Sequence, residues 1–331
     1  MLNLRLKLNQ DVFLDENKKS PRDGFGDALL EAAEKNNSIV ALAADLSESV
    51  RLKKFFEKYP SRSIQTGIAE QNMCSIAAGL AIEGKIPFVV THAVFLTSRA
   101  WDQIKLSICM TNANVKICGS HEGFSNGPDG ASAEPLEDIA IMRVLPNITV
   151  INPIDYEQTK KAVSEISKYQ GPVYLRFSKA ELPNITTKET PFKIGKADIL
   201  VEGDDVTIIS CGGITYEALE AVKNLKAKYK INAEMIASPT IKPLDEYKIL
   251  ESVKKTGKCV TVEEHQITGG LGGAVSELLS EKLPFPLLRI GVEDTFGESG
   301  DYQDLLNKYG LSSHHIEEKV LNFLKEKGKS K

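Results

Sequence analysis

At 331 residues, with 42% hydrophobic and 26% charged side chains, the chain has the make-up of a soluble globular protein. It is long enough for about two domains, each with its own core, and too apolar for disorder. A net charge of −4 with mixed signs, and no basic stripe with interleaved aromatics, argues against nucleic acid as a partner. No apolar run approaches a membrane span, and the opening M-L-N-L-R-L-K-L-N-Q is too polar for a signal peptide, so a cytoplasmic protein with no membrane contact is expected. Cys74, Cys109, Cys118, Cys211 and Cys259 are odd in number, widely spaced and set in apolar runs. They read as reduced core thiols, and their spacing does not describe a zinc site.

In chain order, Ser20-Pro21-Arg22 opens a helix with a capping hydroxyl and a proline at the first helical position. Phe25, Ala28, Leu29 and Ala32 recur on one face of it, and Asn36-Asn37 closes it. Ile39 to Asp45 reads as a buried strand ending on a carboxylate, followed by a charged helix with Phe55-Phe56 that Pro60 stops. Arg62 to Gly67 is the next strand. Beyond Glu70, the residues Met73, Ile76, Ala77, Leu80 and Ala81 give a helical face ended by Gly84. The runs Pro87–Phe95, Val115–Ser120, Ile148–Pro153 and Val173–Ser178 then alternate with helical stretches. Continuous apolar strands alternating with helices predict a parallel sheet covered on both faces, with ligands at the carboxyl ends of its strands. Asp45, Glu70, Phe95, His121 and Lys179 all fall at or just past such ends.

Glu70, in T-G-I-A-E-Q-N, has two readings: a helix-start carboxylate favoured by the macrodipole, or a buried acid awaiting one basic nitrogen. The long glycine-rich segment His121 to Pro135 carries His121 and Asp129 and reads as a functional or mobile loop. From Ala180 to about Lys196 the pattern dissolves into a linker. A second alternating unit follows, with strands at Asp205–Gly213, M-I-A-S-P-T, Lys258–His265 and Pro286–Asp294, and two closing helices. The expected organisation is a first domain over 1–180, a linker over 181–196 and a smaller α/β domain over 197–331. Gly269 to Gly273 lacks the G-x-G-x-x-G spacing of a dinucleotide loop and reads as a helix starting close to a sheet. Val201 to Asp205 reads as a solvated turn and His314-His315 as a surface pair. Glu263-Glu264-His265 is open between a cleft lining and a satisfied strand end.

Four stretches carry a resemblance: R-S-I-Q-T-G-I-A-E-Q-N-M, F-L-T-S-R-A-W-D-Q-I, S-H-E-G-F-S-N-G-P-D-G-A-S and L-E-D-I-A-I-M-R-V-L-P-N-I-T-V. They look like the C-terminal half of transketolase, and more specifically the separate C-terminal subunit of split, two-chain transketolases. The match runs from about Arg22 to the end in the right order, and V-E-E-H…G-G-L-G-G…D-T-F-G-E-S-G resembles the family's last domain. The resemblance implies a thiamine-diphosphate pyrimidine-binding domain followed by a transketolase C-terminal domain. It implies transfer of a two-carbon ketol unit between sugar phosphates, with thiamine diphosphate as cofactor. Glu70 matches the acid that activates the cofactor's aminopyrimidine, and Phe95 the ring that packs on it. Asp45, Ile68 and His92 fall with Glu70 and Phe95 among the cofactor-binding positions. Arg22, Ser49, His121 and Lys179 fall on positions for phosphate and sugar, His121 is also placed among the catalytic residues, and Asp129 matches a residue that meets a substrate hydroxyl.

Three departures are informative. Ala133 stands where the family usually has histidine, His92 where an aromatic ring is commoner, and Lys179 where arginine is usual. No G-D-G motif occurs, although the family holds the cofactor diphosphate through Mg²⁺ with one. The resemblance therefore implies an N-terminal partner subunit that carries the Mg²⁺ ligands, in a hetero-tetramer of two plus two chains. Two other readings stay open: a related ketol or acyl transfer, as in deoxyxylulose-phosphate synthase or a 2-oxoacid dehydrogenase beta subunit, and a non-catalytic regulatory subunit.

Overall fold

The computed structural model describes residues 2–328. After a two-residue strand β1 (Lys18–Lys19), helix α1 (Pro21–Lys35) starts as its sequence predicts, with Ser20 Oγ accepting from the Arg22 amide and Pro21 in the first turn. The chain continues through β2 (Ile39–Ala43), α2 (Lys53–Lys58), β3 (Ser63–Gln65), α3 (Glu70–Ile82), β4 (Ile86–His92), α4 (Ala93–Arg99) and α5 (Trp101–Gln103). Then come β5 (Lys116–Ser120), α6 (Asp138–Arg143), β6 (Thr149–Ile151), α7 (Tyr156–Ile166) and β7 (Val173–Phe177). Strands β6, β7, β5, β4, β2 and β3 lie side by side in that order, all parallel. Every residue of β2, β5 and β7 is buried, because helices cover both faces. On one face Phe25 of α1 stacks on Phe177 of β7 with ring centroids 4.7 Å apart.

The stretch after β7 is tied down. Strand β8 (Leu182–Pro183) pairs antiparallel with β1, and Thr186 bonds through both its amide and its hydroxyl to the buried Asp155. The second unit holds β9 (Asp198–Val201), β10 (Val206–Ser210), α8 (Thr215–Tyr229), β11 (Ala233–Ala237), β12 (Thr240–Lys242) and α9 (Glu246–Thr256). It ends with β13 (Cys259–Gln266), α10 (Leu271–Lys282), β14 (Leu287–Val292), α11 (Tyr302–Lys308) and α12 (Ser313–Gly328). Its five-stranded sheet runs β14-β13-β10-β11-β9, parallel except for β9.

Four details differ from the sequence reading. Strand β4 stops at His92 and Phe95 lies in α4, because the apolar run crosses from strand to helix without a break in polarity. The antiparallel β9 was not foreseen; it is a short run lying between Lys196 and the turn at Val201–Asp205. M-I-A-S-P-T is not one strand. It breaks at Ser238-Pro239, and the next residues form β12, which pairs antiparallel with β6 and completes the first sheet as its seventh strand. The segment from His121 to Pro135 is no open loop: it folds into two 3₁₀ turns and is mostly buried. All five cysteines are free and buried. No helix among the described residues is long and apolar enough to cross a membrane.

Candidate active site

The carboxyl ends of β2, β4, β5 and β7 form one edge, and the candidate residues gather along it. At the end of β2, the amide and hydroxyl of Thr66 both donate to the Ala43 carbonyl, which ties the turn after β3 to its neighbour. Gly67 takes φ +70°, a conformation open to glycine, and turns the chain into α3. That helix has no side-chain cap, and Glu70 occupies its first turn. The aligned amides of the helix start favour a carboxylate there. Glu70 is nonetheless 4% exposed, and Arg99 Nη1 donates to its Oε1 at 3.0 Å. Phe95 and Arg99 are four residues apart in α4 and so share a face; the guanidinium carbon sits 4.2 Å over the Phe95 ring.

A second chain of contacts begins at Phe95. Its ring stacks with His92 at 5.7 Å, and His92 stacks on His121 at 3.7 Å. His92 Nε2 lies 3.2 Å from Ser49 Oγ, and the Ser49 carbonyl accepts from Arg22 Nη1 at 2.9 Å. His121 Nδ1 meets Ser120 Oγ at 2.7 Å. Burial lowers the His92 pKa to about 4, with Lys179 and Arg22 pushing the same way and Asp129 opposing. Burial and the neighbouring His92, Arg22, Lys179 and Arg51 lower that of His121 to about 2. Both imidazoles are therefore neutral at pH 7 and are hydrogen-bonding groups rather than charges. The positive charge of the pocket comes from Arg22, Arg51 and Lys179. Asp129 is exposed, and Asp45 stands exposed past β2 with its amide bonded to Gln65 Oε1. Ile68 is exposed on the turn before α3. Ala133 is buried in the second 3₁₀ turn, its carbonyl accepting from Asn126 Nδ2.

The backbone marks the same edge. Asp45 (φ 60°), Arg51 (φ 63°) and His121 (φ 65°) are non-glycine residues in the left-handed region, where side chains are disfavoured and functional residues collect. Two cationic side chains of this edge lie outside the sequence reading. Arg99 is reached from Phe95 only once that stretch is known to be helix; its four-residue spacing was the available signal. Arg51 enters the site from the turn after Ser49, where it pairs with Asp23.

The residues present fit an aminopyrimidine cofactor. Glu70 offers a buried carboxylate whose Oε2 has no protein donor among the described residues, beside a half-buried phenyl ring, and the buried Nδ1 of His92 is without a partner. Outside the edge, the Glu263-Glu264-His265 strand end is satisfied internally. Glu263 accepts from the amides of Leu271 and Gly272, which is how the glycine run starts α10 against the sheet, and His265 Nε2 accepts from the Ala140 amide.

Comparison with known proteins agrees in both halves. The transketolase pyrimidine-binding domain model matches residues 17–184 and the transketolase C-terminal domain model residues 195–316. The putative transketolase C-terminal section of Methanocaldococcus jannaschii is 44% identical over 93% of this chain and 97% of its own. A 6-deoxy-6-sulfo-D-fructose transketolase subunit of Clostridium sp. is 42% identical over 89% and 91%. A solved structure described as a split gene transketolase, inactive beta4 tetramer, superposes with TM-score 0.86 at 43% identity, over 92% of this chain and 98% of that one. The chain belongs to the transketolase family, whose enzymes use thiamine diphosphate, and has the two-domain content of the C-terminal subunit of a split transketolase.

Proposed function

We propose that this chain, joined to an N-terminal subunit, transfers a two-carbon ketol unit from a ketose phosphate to an aldose phosphate. The observation that carries the reading is the meeting of the buried Glu70, with Phe95 beside it, and the neutral His92–His121 stack along one cation-bordered sheet edge. Thiamine diphosphate, when bound, supplies the nucleophilic carbon that carries the ketol unit. The residues of this chain do the rest. Glu70 holds a proton at the aminopyrimidine nitrogen, and its burial keeps that hydrogen bond strong. Phe95, His92, Ile68 and Asp45 hold and orient the ring. His121 and Ser49 donate to and accept from sugar hydroxyls, Asp129 meets a further hydroxyl, and Arg22 and Lys179 pair with the phosphate.

The diphosphate and Mg²⁺ belong, in this reading, to a partner chain with the G-D-G motif that this sequence lacks. The relatives named for sulfofructose and apulose-4-phosphate transfer support a substrate outside the commonest pentose phosphates, as does Ala133. A sulfonate or phosphate terminus suits the Arg22–Lys179 end equally.

The test is reconstitution with the N-terminal polypeptide, thiamine diphosphate and Mg²⁺, followed by a donor and acceptor screen. Turnover is expected from the pair of chains and not from this chain alone. Robust turnover by the single purified chain would refute the partner requirement, and no transfer from any ketose phosphate would sink the ketol reading.

A further inference from the structure

The segment that carries His121 and Asp129 is held from behind by side chains of the second domain. The Phe124 amide donates to Glu264 Oε1 at 2.5 Å, and Tyr302 Oη of α11 donates to Glu264 Oε2 at 2.8 Å. Gly123, at φ +50°, lies so close that a Cβ there would stand 2.3 Å from Glu264 Oε1. On the other side of the segment, Glu122 Oε1 accepts from the Gly213 amide at the start of α8. Arg176 of β7 faces both: it pairs with Asp138 at 2.8 Å, lies 3.5 Å from Glu122 and donates to the Glu264 carbonyl. Asn152, turned so that its nitrogen faces Glu122 and its oxygen Arg176, completes the cluster.

We propose that Glu264 is a positioning residue for the sugar-binding segment, seating residues 121–135 from the second domain through the Phe124 amide and Tyr302. The proposal rests on the reading that His121 and Asp129 meet the sugar. Its geometry is specific. Glu264 is buried, its two oxygens serve two different elements, and the Phe124 bond falls three residues from His121.

The cluster has a proton to manage. Three buried carboxylates, Glu122, Asp138 and Glu264, face one guanidinium, Arg176. Besides these, Tyr302 faces Glu264 from α11, and Glu217 of α8 lies behind Tyr302. Burial first, and Glu122 second, push the Glu264 pKa up, and burial raises that of Glu122 as well. With the segment seated, the Glu122–Glu264 pair therefore holds a proton more readily than free carboxyls do. Once the segment lifts and water reaches the carboxyl, its pKa returns toward 4.5. The seated state binds the extra proton, so this contribution to seating weakens as pH rises through the carboxyl range, beside same-sign contributions from Glu122 and Glu134 and an opposite one from His121 in the same segment.

Hydrogen exchange on the full chain tests this with no requirement for activity. In wild type, the protection factors of amides in 121–135, corrected for intrinsic exchange, are expected to carry a Glu264 contribution that falls as pH rises. Glu264→Gln, which keeps an acceptor for Phe124 and carries no titrating proton, is expected to show a smaller fall with pH than wild type and to keep the segment protected. Glu264→Ala is expected to lose protection there at every pH. In the complex with the partner subunit, Glu264→Ala should raise KM for the sugar phosphate about tenfold or more. Its kcat should stay within about threefold and the thiamine diphosphate dependence should be unchanged, with rescue by Gln. Equal slopes for wild type and Glu264→Gln would overturn the proposal, as would an Ala segment as protected as wild type. If Glu264→Ala does not fold, the Gln slope still decides, with Tyr302→Phe as a second variant expected to lower protection. A complex inactive with every sugar would defeat the functional reading, while the exchange result would still decide the positioning.

Discussion

At the residue scale, Glu70 combines a helix-start position with burial, and Arg99 is the protein group that keeps its charge compensated. In the proposed function Glu70 is the acid that serves the aminopyrimidine. Glu70→Ala is expected to lower kcat of the reconstituted enzyme by roughly 10²–10⁴-fold, the usual worth of a positioned acid–base group. Steady-state turnover at saturating thiamine diphosphate measures this, and wild-type turnover would remove Glu70 from the mechanism. Ala133 is the second informative residue. Its methyl is buried in the turn that packs near α4, so a larger imidazole there enters the same space as the sugar segment. Ala133→His is expected to shift acceptor preference toward common pentose phosphates by about tenfold in kcat/KM, the scale of one added polar contact. An unchanged acceptor panel would mean that position 133 is not the selector.

At the element scale, what was legible followed from periodicity and caps. Ser20-Pro21 set the start of α1, and the apolar runs at Ile39, Val115 and Val173 gave parallel strands in the expected places. Apolar runs do not report where a strand becomes a helix, so the sequence pattern extends the strand over Ala93–Phe95, the first residues of α4, and gives no sign of Arg99. Short elements held by tertiary contact were also invisible. Strand β12 has three residues and no signal beyond the Ser238-Pro239 break. The burial of the 121–135 segment could not be read either, because it depends on Glu264, Tyr302 and Gly213, between about 90 and 180 positions away in the chain. The residues at the edge were legible through the family's motifs. Their stacking order, Phe95 on His92 on His121, was not, since three rings at scattered positions give no pattern in one dimension.

At the scale of the whole molecule, exposed apolar residues are not confined to the site edge. Ile68, on the turn before α3, is 74% exposed there, while Ile82, equally exposed, lies at the far end of the same helix. An uncovered apolar residue at the site edge suits the partner chain of the proposed function.

The crossing of β12 bears on where this polypeptide can be divided. The family models draw a boundary between residues 184 and 195. Yet the Asn152 amide donates to the Pro239 carbonyl, and β12 shields the edge of β6. One apolar cluster joins Val89, Ile117 and Val150 of the first sheet to Ile209, Ile236 and Leu271 of the second unit. A gene fragment ending at residue 196 would thus encode a sheet with a bare edge and part of its core uncovered, prone to pair edge to edge. Such a fragment is expected to aggregate or to melt without cooperativity in calorimetry, and a soluble fragment with a sharp transition would show the halves to be separable. Recombination or fission within this chain would then meet a mechanical barrier that its two-module sequence conceals.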